Sequence, residues 1–307
     1  MNRHKHGISL ILLFFIFIGC SQKQSLDWVS FNWEGDTISG QYIEKAYIYV
    51  PVKIDGLPYN FTMQFDLGTY QSVFYGNSLE PYLAECPSLM DNLDSTGMFR
   101  NLGLQMGAID FDSINIGYKK DFGDKIPEDS LRSKTPKHIG TIAADIFQDK
   151  FLIIDYKLNR FAISDFLPAE YNDLPAEKFE LTAGIIRLPF CINGKDYKLM
   201  FDTGSSPFQL VTTKERALDI SGSVIVDSLS GPLWWGKEMT FYGLEVNKHI
   251  EFAGKALGNS RVYYDKEGLW NGIYDSFNVW GITGNAYFFN NTIIIDYKNK
   301  LFRIELN

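Results

Sequence analysis

Two stretches with the same pattern of apolar and polar positions stand near the middle and the end of the chain. They read FLIIDYKLNRFAI at residues 151–163 and TIIIDYKNKLFRI at residues 292–304, and they are identical at seven of thirteen positions. Each has a β-branched run, a polar turn and a second run in which apolar residues alternate. This pattern predicts a β-hairpin in each place.

The repetition extends well beyond these hairpins. Residues 52–69, VKIDGLPYNFTMQFDLGT, and residues 190–205, FCINGKDYKLMFDTGS, both predict a strand, an Asp-Gly or Asn-Gly turn, a second strand and then Asp-x-Gly-Thr/Ser. A glycine, Gly140 or Gly281, also stands fifteen residues before the aspartate of each hairpin. We infer that a whole half of the protein is duplicated.

The predicted domains follow from this duplication. A chain of 307 residues is too long for one ordinary core, because single cores stop growing at about 250 to 300 residues. We predict a first lobe at 41–165, a connector at 166–180 that carries two Leu-Pro-Ala-Glu repeats, and a second lobe at 181–307. Residues 20–40 are predicted to form a tether and then edge strands that brace the lobes.

Composition adds a globular class and excludes one kind of partner. Hydrophobic residues make up 45% of the chain and charged residues 21%, which is typical of a globular protein, and an aromatic content of 15% suits sheets. The formal net charge is -8 and no cluster of Lys and Arg stands out, so nothing would attract a polyphosphate backbone. We therefore do not expect nucleic acid as a partner.

The first residues predict export. Residues 1–19 join a basic start to an apolar segment of eleven residues, which is too short to span a bilayer, where about 20 are needed. The end of the segment, Phe17-Ile18-Gly19-Cys20, resembles the lipobox of bacterial lipoproteins, whose cysteine is acylated after cleavage. The resemblance implies a lipoprotein anchored to a membrane through Cys20, on the periplasmic side or at the cell surface. The alternative is a signal cut by an ordinary peptidase, with Cys20 unmodified.

The remaining cysteines and histidines indicate no reactive centre. Cys86 and Cys191 could pair in an exported protein, but their contexts favour buried free thiols. His138 and His249 have no Cys or His neighbour at the spacing of metal ligands, so we infer no zinc site.

The chemistry lies where the apolar run of the second half ends in an acid. An ionised carboxylate at the end of such a strand is costly unless it is hydrogen-bonded, solvated or paired, and Asp202 is followed by residues that can bond it. Gly204 permits a sharp turn with free N–H groups, and Ser205 adds a hydroxyl donor. The first half repeats the same set of residues: Asp66, Gly68 and Thr69.

Two such loops, related by a twofold axis, would bring Asp66 and Asp202 face to face. Like charges about 3 Å apart cannot both ionise, so the two carboxyls would share one proton. One would then act as a base and the other as an acid around a bound water.

This arrangement resembles the pepsin-type aspartic endopeptidases over nearly all of the mature chain. The family pattern is a hydrophobic pair, then Asp-Thr/Ser-Gly-Thr/Ser, and later two hydrophobic residues and a glycine. Residues 200–205, MFDTGS, and residues 280–288, WGITGNAYF, fit it closely. The resemblance implies an all-β, bilobal pepsin-like fold, in which two related β-barrel lobes with pseudo-twofold symmetry hold an extended peptide in a cleft. It implies that no metal and no organic cofactor is used, and we expect a monomer.

The resemblance also assigns roles to residues. Asp66 and Asp202 would activate the water and protonate the leaving amine by turns, with Thr69 and Ser205 bonding the outer carboxylate oxygens and an acidic pH optimum. Supporting roles fall to the other loop residues, Gly68, Thr203 and Gly204. Trp234 and Trp235 are candidates to line the cleft, and the alternative is that one is core and the other incidental surface.

The first half departs from the family pattern at two positions. Leu67 stands where the family has Thr or Ser, whose hydroxyl bonds across to the opposite loop, and Ala143 stands where the later glycine is expected. Two functions from different classes follow. One is a membrane-tethered aspartic endopeptidase that cuts peptides or unfolded proteins. The other is a catalytically weakened or inactive homologue that binds a peptide or another ligand as a lipoprotein.

Overall fold

The computed structural model describes residues 25–234 and 236–305. Strands make up 49% of the structure and helices 14%, so the predicted all-β class is confirmed. None of the helices within the described ranges has the length and apolar character needed to cross a membrane. The predicted signal peptide and the lipidation site Cys20 lie outside the described residues, as does Trp235.

Within residues 25–165, which are called the first half below, ten strands form. They are β1 (Trp28–Ser30), β2 (Asn32–Ile38), β3 (Gln41–Ile54), β4 (Phe61–Phe65), β5 (Val73–Tyr75), β6 (Met98–Met106), β7 (Ile109–Lys119), β8 (Lys137–Ile142), β9 (Phe151–Asp155) and β10 (Arg160–Ser164). The structure confirms the two strands predicted around the Asp-Gly turn, β3 and β4. It also confirms the predicted hairpin of β9 and β10.

Thirteen described strands follow, and those after residue 180 belong to the second half. They are β11 (Ala176–Lys178), β12 (Glu180–Thr182), β13 (Ile185–Ile192), β14 (Lys195–Phe201), β15 (Leu210–Thr212), β16 (Ser221–Trp234), β17 (Lys237–Val246), β18 (Ile250–Phe252), β19 (Lys255–Ala256), β20 (Arg261–Asp265), β21 (Gly281–Thr283), β22 (Thr292–Asp296) and β23 (Leu301–Glu305). The predicted hairpins β13–β14 and β22–β23 are confirmed.

Helices are short and lie between strands. The α-helices are α1 (Gly76–Leu83), α2 (Lys214–Ile220) and α3 (Asn271–Ser276), and the 3-10 helices span Pro87–Asn92, Glu128–Ser130, Ala144–Phe147, Ala169–Tyr171 and Thr203–Ser205.

The two halves repeat one arrangement of six strands. In the first half the order across the sheet is β3-β4-β8-β5-β7-β6, and in the second half it is β13-β14-β21-β15-β20-β17. The sense of each pairing is the same in both, antiparallel, parallel, antiparallel, parallel and antiparallel. The duplication inferred from the sequence is therefore also a duplication of topology.

Strands from both halves meet in a six-stranded sheet of order β1-β10-β9-β22-β23-β11. Its central pair is β9 and β22, in which Ile153 lies opposite Ile294. These two isoleucines are 141 residues apart, which is also the spacing of the sequence repeat, and the pairing is symmetric about them: Phe151 lies opposite Asp296 and Asp155 opposite Thr292. A local twofold axis therefore passes between Ile153 and Ile294.

The hairpin of β2 and β3 ties the beginning of the chain to the second half. At its tip the Ser39 amide and hydroxyl both donate to the Ser230 carbonyl at 3.1 Å. Next to the tip, Ile38 is 3% exposed and packs in an apolar cluster of the second half that includes Leu229 and Tyr263. The strands before residue 41 lie at sheet edges, β1 in the six-stranded sheet and β2 in the sheet of the first half.

The predicted connector at 166–180 is not only a surface link. It contains β11, which pairs with β23 at the edge of the six-stranded sheet, and the first residue of β12, which pairs with β13. Phe179 between these two strands is buried. The Pro-punctuated sequence indicated a loop because three-residue strands are too short to show an alternating pattern.

We expect Ile38→Ala to lower the free energy of unfolding by about 2 to 4 kcal/mol, because it removes a buried aliphatic side chain from the cluster of the second half. Urea unfolding of the full chain measures this loss. Val224→Ala, at a position 72% exposed, is the control and should change stability by less than about 0.5 kcal/mol. Equal unfolding midpoints for the two variants would mean that the hairpin does not dock on the second half.

Candidate active site

The two predicted aspartates occupy equivalent places at the ends of equivalent strands. Asp66 follows β4 and its amide donates to the carbonyl of Ile142 at 2.9 Å, while Asp202 follows β14 and its amide donates to that of Thr283 at 3.0 Å. The backbone of each aspartate is therefore held by the neighbouring parallel strand, which is β8 for Asp66 and β21 for Asp202.

The two loops face each other so closely that each glycine lies against the aspartate of the other half. A Cβ atom added to Gly68 would lie 2.2 Å from Oδ1 of Asp202, and one added to Gly204 would lie 2.7 Å from Cγ of Asp66. Neither glycine has a positive φ. The sequence analysis assigned the glycine of Asp-x-Gly to a sharp turn of its own backbone. The structure shows instead that glycine is required because the opposite carboxyl occupies the space of a side chain.

The carboxylate of Asp202 is held by three donors. Its Oδ1 accepts from the amides of Gly204 at 2.8 Å and Ser205 at 3.3 Å, and its Oδ2 accepts from the Ser205 hydroxyl at 2.7 Å. These bonds come from the 3-10 helix Thr203–Ser205, which Asp202 caps. The three donors therefore fix the orientation of the Asp202 carboxyl relative to its own loop.

The carboxyl of Asp66 has weaker support. Its Oδ1 accepts from the Gly68 amide at 2.8 Å, but among the described residues the Thr69 hydroxyl makes no hydrogen bond to it. Burial raises the pKa of Asp66 well above its ordinary value of 3.8, and the charge of Asp202 and a hydrogen bond with Asp202 raise it further, while the Gly68 and Thr69 amides act in the opposite direction. Asp66 and Asp202 are therefore in direct contact, and the charge of Asp202 acts on Asp66.

One residue, Thr203, connects the two loops directly. Its hydroxyl donates to the Phe65 carbonyl at 3.0 Å and accepts from the Leu67 amide at 2.9 Å, and Thr203 is fully buried. In the opposite direction Leu67 has no hydroxyl to offer, and its side chain is fully buried in the large core. The crossed bonding between loops is therefore one-sided.

Behind Thr203 lies a buried polar side chain, Asn285, that the sequence placed only within the later glycine segment. Its Nδ2 donates to the Thr203 carbonyl at 3.0 Å and to the Ser206 hydroxyl at 3.1 Å. Its Oδ1 accepts from the Tyr156 hydroxyl, which comes from the first half, at 2.7 Å. Sequence reasoning missed Tyr156, although the residue stands inside the repeated Asp-Tyr-Lys.

Ala143 is accommodated by a change in the loop that it faces. In the second half the Gly284 amide donates to the Phe208 carbonyl at 3.0 Å, and a Cβ atom on Gly284 would lie 1.9 Å from the Ser205 carbonyl oxygen. In the first half the Ala143 amide donates instead to the Ser72 hydroxyl at 2.9 Å. A serine side chain thus replaces the close backbone contact.

Ser72 is itself held by an acid that sequence reasoning did not single out. Its amide and its hydroxyl donate to the two carboxylate oxygens of Asp145, at 3.0 and 2.6 Å. Burial raises the pKa of Asp145, and the bonds from Ser72 act against that rise. This pair fixes the loop after Asp66 in the place where the second half uses glycine.

A group of rings lies on the same side of the first sheet as Asp66. Phe61, Met63 and Phe65 point into the core, so Asp66 belongs to the opposite face. On β5, Tyr75 bonds the Thr141 hydroxyl at 2.5 Å, and burial raises its pKa to about 12, with a further contribution from the charge of Asp66.

His138 stacks on the ring of Tyr49 and meets the ring of Tyr75 edge-on. Its centroid lies 4.6 Å from that of Tyr49 and 5.5 Å from that of Tyr75. Burial lowers the pKa of His138 to about 4, and its buried Nδ1 has no partner among the described residues. The ring is therefore neutral above that pH.

The remaining predicted residues are two tryptophans and two cysteines. Trp234 is the last residue of β16 and pairs with Lys237 in β17, and Trp235 is outside the described residues. Cys86 and Cys191 are free, as predicted, and both are partly rather than fully buried. Within residues 25–234 and 236–305 no group of three or more His, Cys, Asp or Glu side chains is placed to hold a metal ion.

A scan against models of known protein families gives no match, and no curated protein matches the chain.

We expect Gly284→Ala to destabilise the protein by about 1 to 3 kcal/mol, because the new methyl group would meet the Ser205 carbonyl oxygen at 1.9 Å and push the loop that holds Asp202. Thermal unfolding measures the effect. Gly258→Ala is the matched control, since nothing lies within 4 Å of the added atom there. Equal melting temperatures of the two variants would contradict the close contact.

We also expect Asp66→Asn to stabilise the protein at neutral pH. Below pH 3.8 Asp66 is protonated in both states, but above it the unfolded chain releases the proton while folded Asp66 keeps it, so wild-type stability falls as pH rises toward the folded pKa. Asn does not titrate. Urea unfolding between pH 3 and pH 7 should show a growing advantage for Asp66→Asn, and the exposed Asp112→Asn is the control. An advantage that shrinks with rising pH would contradict the shared proton.

Proposed function

We propose that this protein is an aspartic endopeptidase of the pepsin-like, bilobal kind, which cuts peptides or unfolded proteins while a lipid on Cys20 tethers it to a membrane. The observation that carries the proposal is the mutual approach of Asp66 and Asp202, each over the glycine of the other loop. The raised pKa of Asp66 beside Asp202 adds the proton that such a pair shares.

The chemistry follows from one proton on two carboxyls. The ionised carboxylate takes a proton from a water between the pair as the water oxygen attacks the peptide carbonyl carbon, while the protonated carboxyl donates its proton to the carbonyl oxygen. When the C–N bond of the tetrahedral intermediate breaks, the carboxyl that gained the water's proton donates it to the leaving amine. The carbonyl then re-forms and returns the other proton, so the starting charge state is restored.

A surface for an extended peptide supports the same proposal. Along residues 41–48, β3 pairs with β2 at one edge and with no other described strand. Residues 41–45 line a cavity of about 350 Å³, and its opposite wall contains Pro207, Leu229 and Tyr263 of the second half. Pro207 is close in sequence to Asp202, and a free strand edge can pair with the backbone of a bound peptide.

A binding lipoprotein without catalysis is the second candidate, because the crossed bonding between the loops is half absent at Leu67. Losing one buried hydrogen bond costs on the order of 1 kcal/mol, which loosens a site without removing either carboxyl. The endopeptidase therefore remains the proposal that uses both aspartates.

We expect the full chain in mild detergent to hydrolyse an unstructured protein with a maximum between pH 3 and pH 6, because the pair needs one ionised and one protonated carboxyl. Asp202→Asn and Asp66→Asn should each lower the rate by at least about 100-fold, since each removes one member of the acid–base pair. Release of new amino termini over time measures the rate, and Asp112→Asn controls for loss of a surface carboxylate.

Equal turnover by wild type and Asp202→Asn would overturn the endopeptidase proposal, as would a maximum above pH 7. If neither form cuts, equilibrium binding of a fluorescent unstructured peptide tests the second candidate. Binding of equal affinity by both forms would support that candidate.

A further inference from the structure

We propose that Tyr156 is a positioning residue for the candidate active site. Through Asn285, its hydroxyl fixes the turn Thr203–Ser205, which holds Asp202 and reaches across to the loop of Asp66. The inference rests on the proposed function for its kinetic consequence, but the hydrogen bonds that carry it do not depend on catalysis.

The first step is an unbroken chain of buried hydrogen bonds. The Tyr156 hydroxyl donates to Oδ1 of Asn285 at 2.7 Å, and Nδ2 of Asn285 donates to the Thr203 carbonyl at 3.0 Å. The Thr203 hydroxyl then donates to the Phe65 carbonyl at 3.0 Å. This series of hydrogen bonds therefore begins at Tyr156 in the first half, passes through Asn285 and Thr203 in the second half, and returns to the first half at Phe65, in the strand that precedes Asp66.

The second step is that all the side chains in this series of hydrogen bonds are buried. Tyr156 is 1% exposed, and Asn285 and Thr203 are fully buried. A buried amide that loses a partner cannot bond water in its place, so each link has to be satisfied by the next. Among the described residues, Oδ1 of Asn285 accepts a hydrogen bond from the Tyr156 hydroxyl and from no other group.

The third step is a natural comparison inside the molecule. Tyr297 stands 141 residues after Tyr156, and the backbones are equivalent: the Tyr156 amide donates to the Asn291 carbonyl and the Tyr297 amide to that of Lys150. The counterpart of Asn285 is Ala144, however, and the buried Tyr297 hydroxyl has no partner among the described residues. The two tyrosines thus share a fold position and differ in this bond.

The asymmetry coincides with the asymmetry of the loops. Thr203, whose hydroxyl bonds the backbone of the opposite loop at Phe65 and Leu67, is the residue that Asn285 supports. Its counterpart Leu67 has no hydroxyl to make such bonds, and it lies in the half where Ala144 stands in the place of Asn285. The support from Tyr156 is therefore concentrated on the one turn that carries the hydrogen bonds to Asp202.

The consequence for chemistry runs through Asp202. If the turn moves, the amides of Gly204 and Ser205 lose alignment with the carboxylate, and the hydrogen bonds that hold Asp202 in place weaken. A displaced Asp202 also changes its contact with Asp66 of the opposite loop. Burial raises the pKa of Tyr156 well above 10, so Tyr156 cannot itself titrate in the acidic range.

The test compares Tyr156→Phe with Tyr297→Phe in the full chain, two variants that each remove one buried hydroxyl. For Tyr156→Phe we expect kcat for an unstructured protein to fall about five- to twentyfold with KM changed less than twofold, as for loss of one buried hydrogen bond that acts on the reacting groups. Tyr297→Phe should leave both kcat and KM within twofold of the wild type.

A second measurement works without any turnover. Hydrogen–deuterium exchange, read by mass spectrometry on fragments that contain residues 203–208, should be faster in Tyr156→Phe and unchanged in Tyr297→Phe. Asn285→Ala gives the second half the residue that the first half has at Ala144, and it should speed exchange in the same fragments. It replaces Tyr156→Phe if that variant does not fold.

The outcomes separate the two proposals. Selective loss of kcat and selective exchange in Tyr156→Phe support the positioning role. Exchange and kcat that are unchanged in Tyr156→Phe, or that change equally in Tyr297→Phe, overturn it. If the wild type cuts nothing, the proposed function fails, and the exchange measurement alone decides whether Tyr156 positions the turn.

Discussion

The structure depends on one close approach, that of two carboxyls across two glycines. Asp66 and Asp202 can approach each other because neither Gly68 nor Gly204 has a side chain that would collide with the opposite carboxyl. The placement of the two halves is set at a distance from the site by the symmetric pairing of β9 with β22 around Ile153 and Ile294. A slip of one residue there would turn each strand over and carry the halves apart. The sheet is thus the device that sets the distance between the acids.

Much of the fold could be predicted because apolar and polar residues alternate along a strand that has one buried face. The repeated hairpins and the turns at Asp-Gly and Asn-Gly were read in this way, and all are present. What could not be predicted is the meeting of elements that are far apart in sequence. The three residues of β11 are too few to show an alternating pattern. The sequence of residues 32–38 does not predict that Ile38 packs in the second half, because its burial depends on Leu229 and the residues around Leu229.

The site divides in the same way. Both aspartates and their loops follow from a motif that occurs twice, and duplication together with a twofold axis is enough to bring them together. The supporting polar residues follow from no motif, because each acts on a partner 71 to 129 residues away: Ser72 on Ala143, and Tyr156 on Asn285. An isolated Ser or Tyr in an apolar run gives no signal of its own. Their roles become visible only as buried donors that must have acceptors.

The two departures from symmetry are each matched by other residues, and this bears on what the pair can do. Leu67 fills the core where a hydroxyl would have reached across, and Ser72 takes the place of a backbone contact that Ala143 does not make. What remains unequal is the bonding of the carboxyls themselves: Asp202 accepts from two amides and a hydroxyl, whereas Asp66 lacks a hydroxyl donor among the described residues. Asp66 is also the carboxyl whose pKa is raised well above its ordinary value, first by burial and next by the charge of Asp202. The two carboxyls therefore have different surroundings although they occupy equivalent positions in the two halves, and this difference arises from the same loops in which the crossed bonding is one-sided.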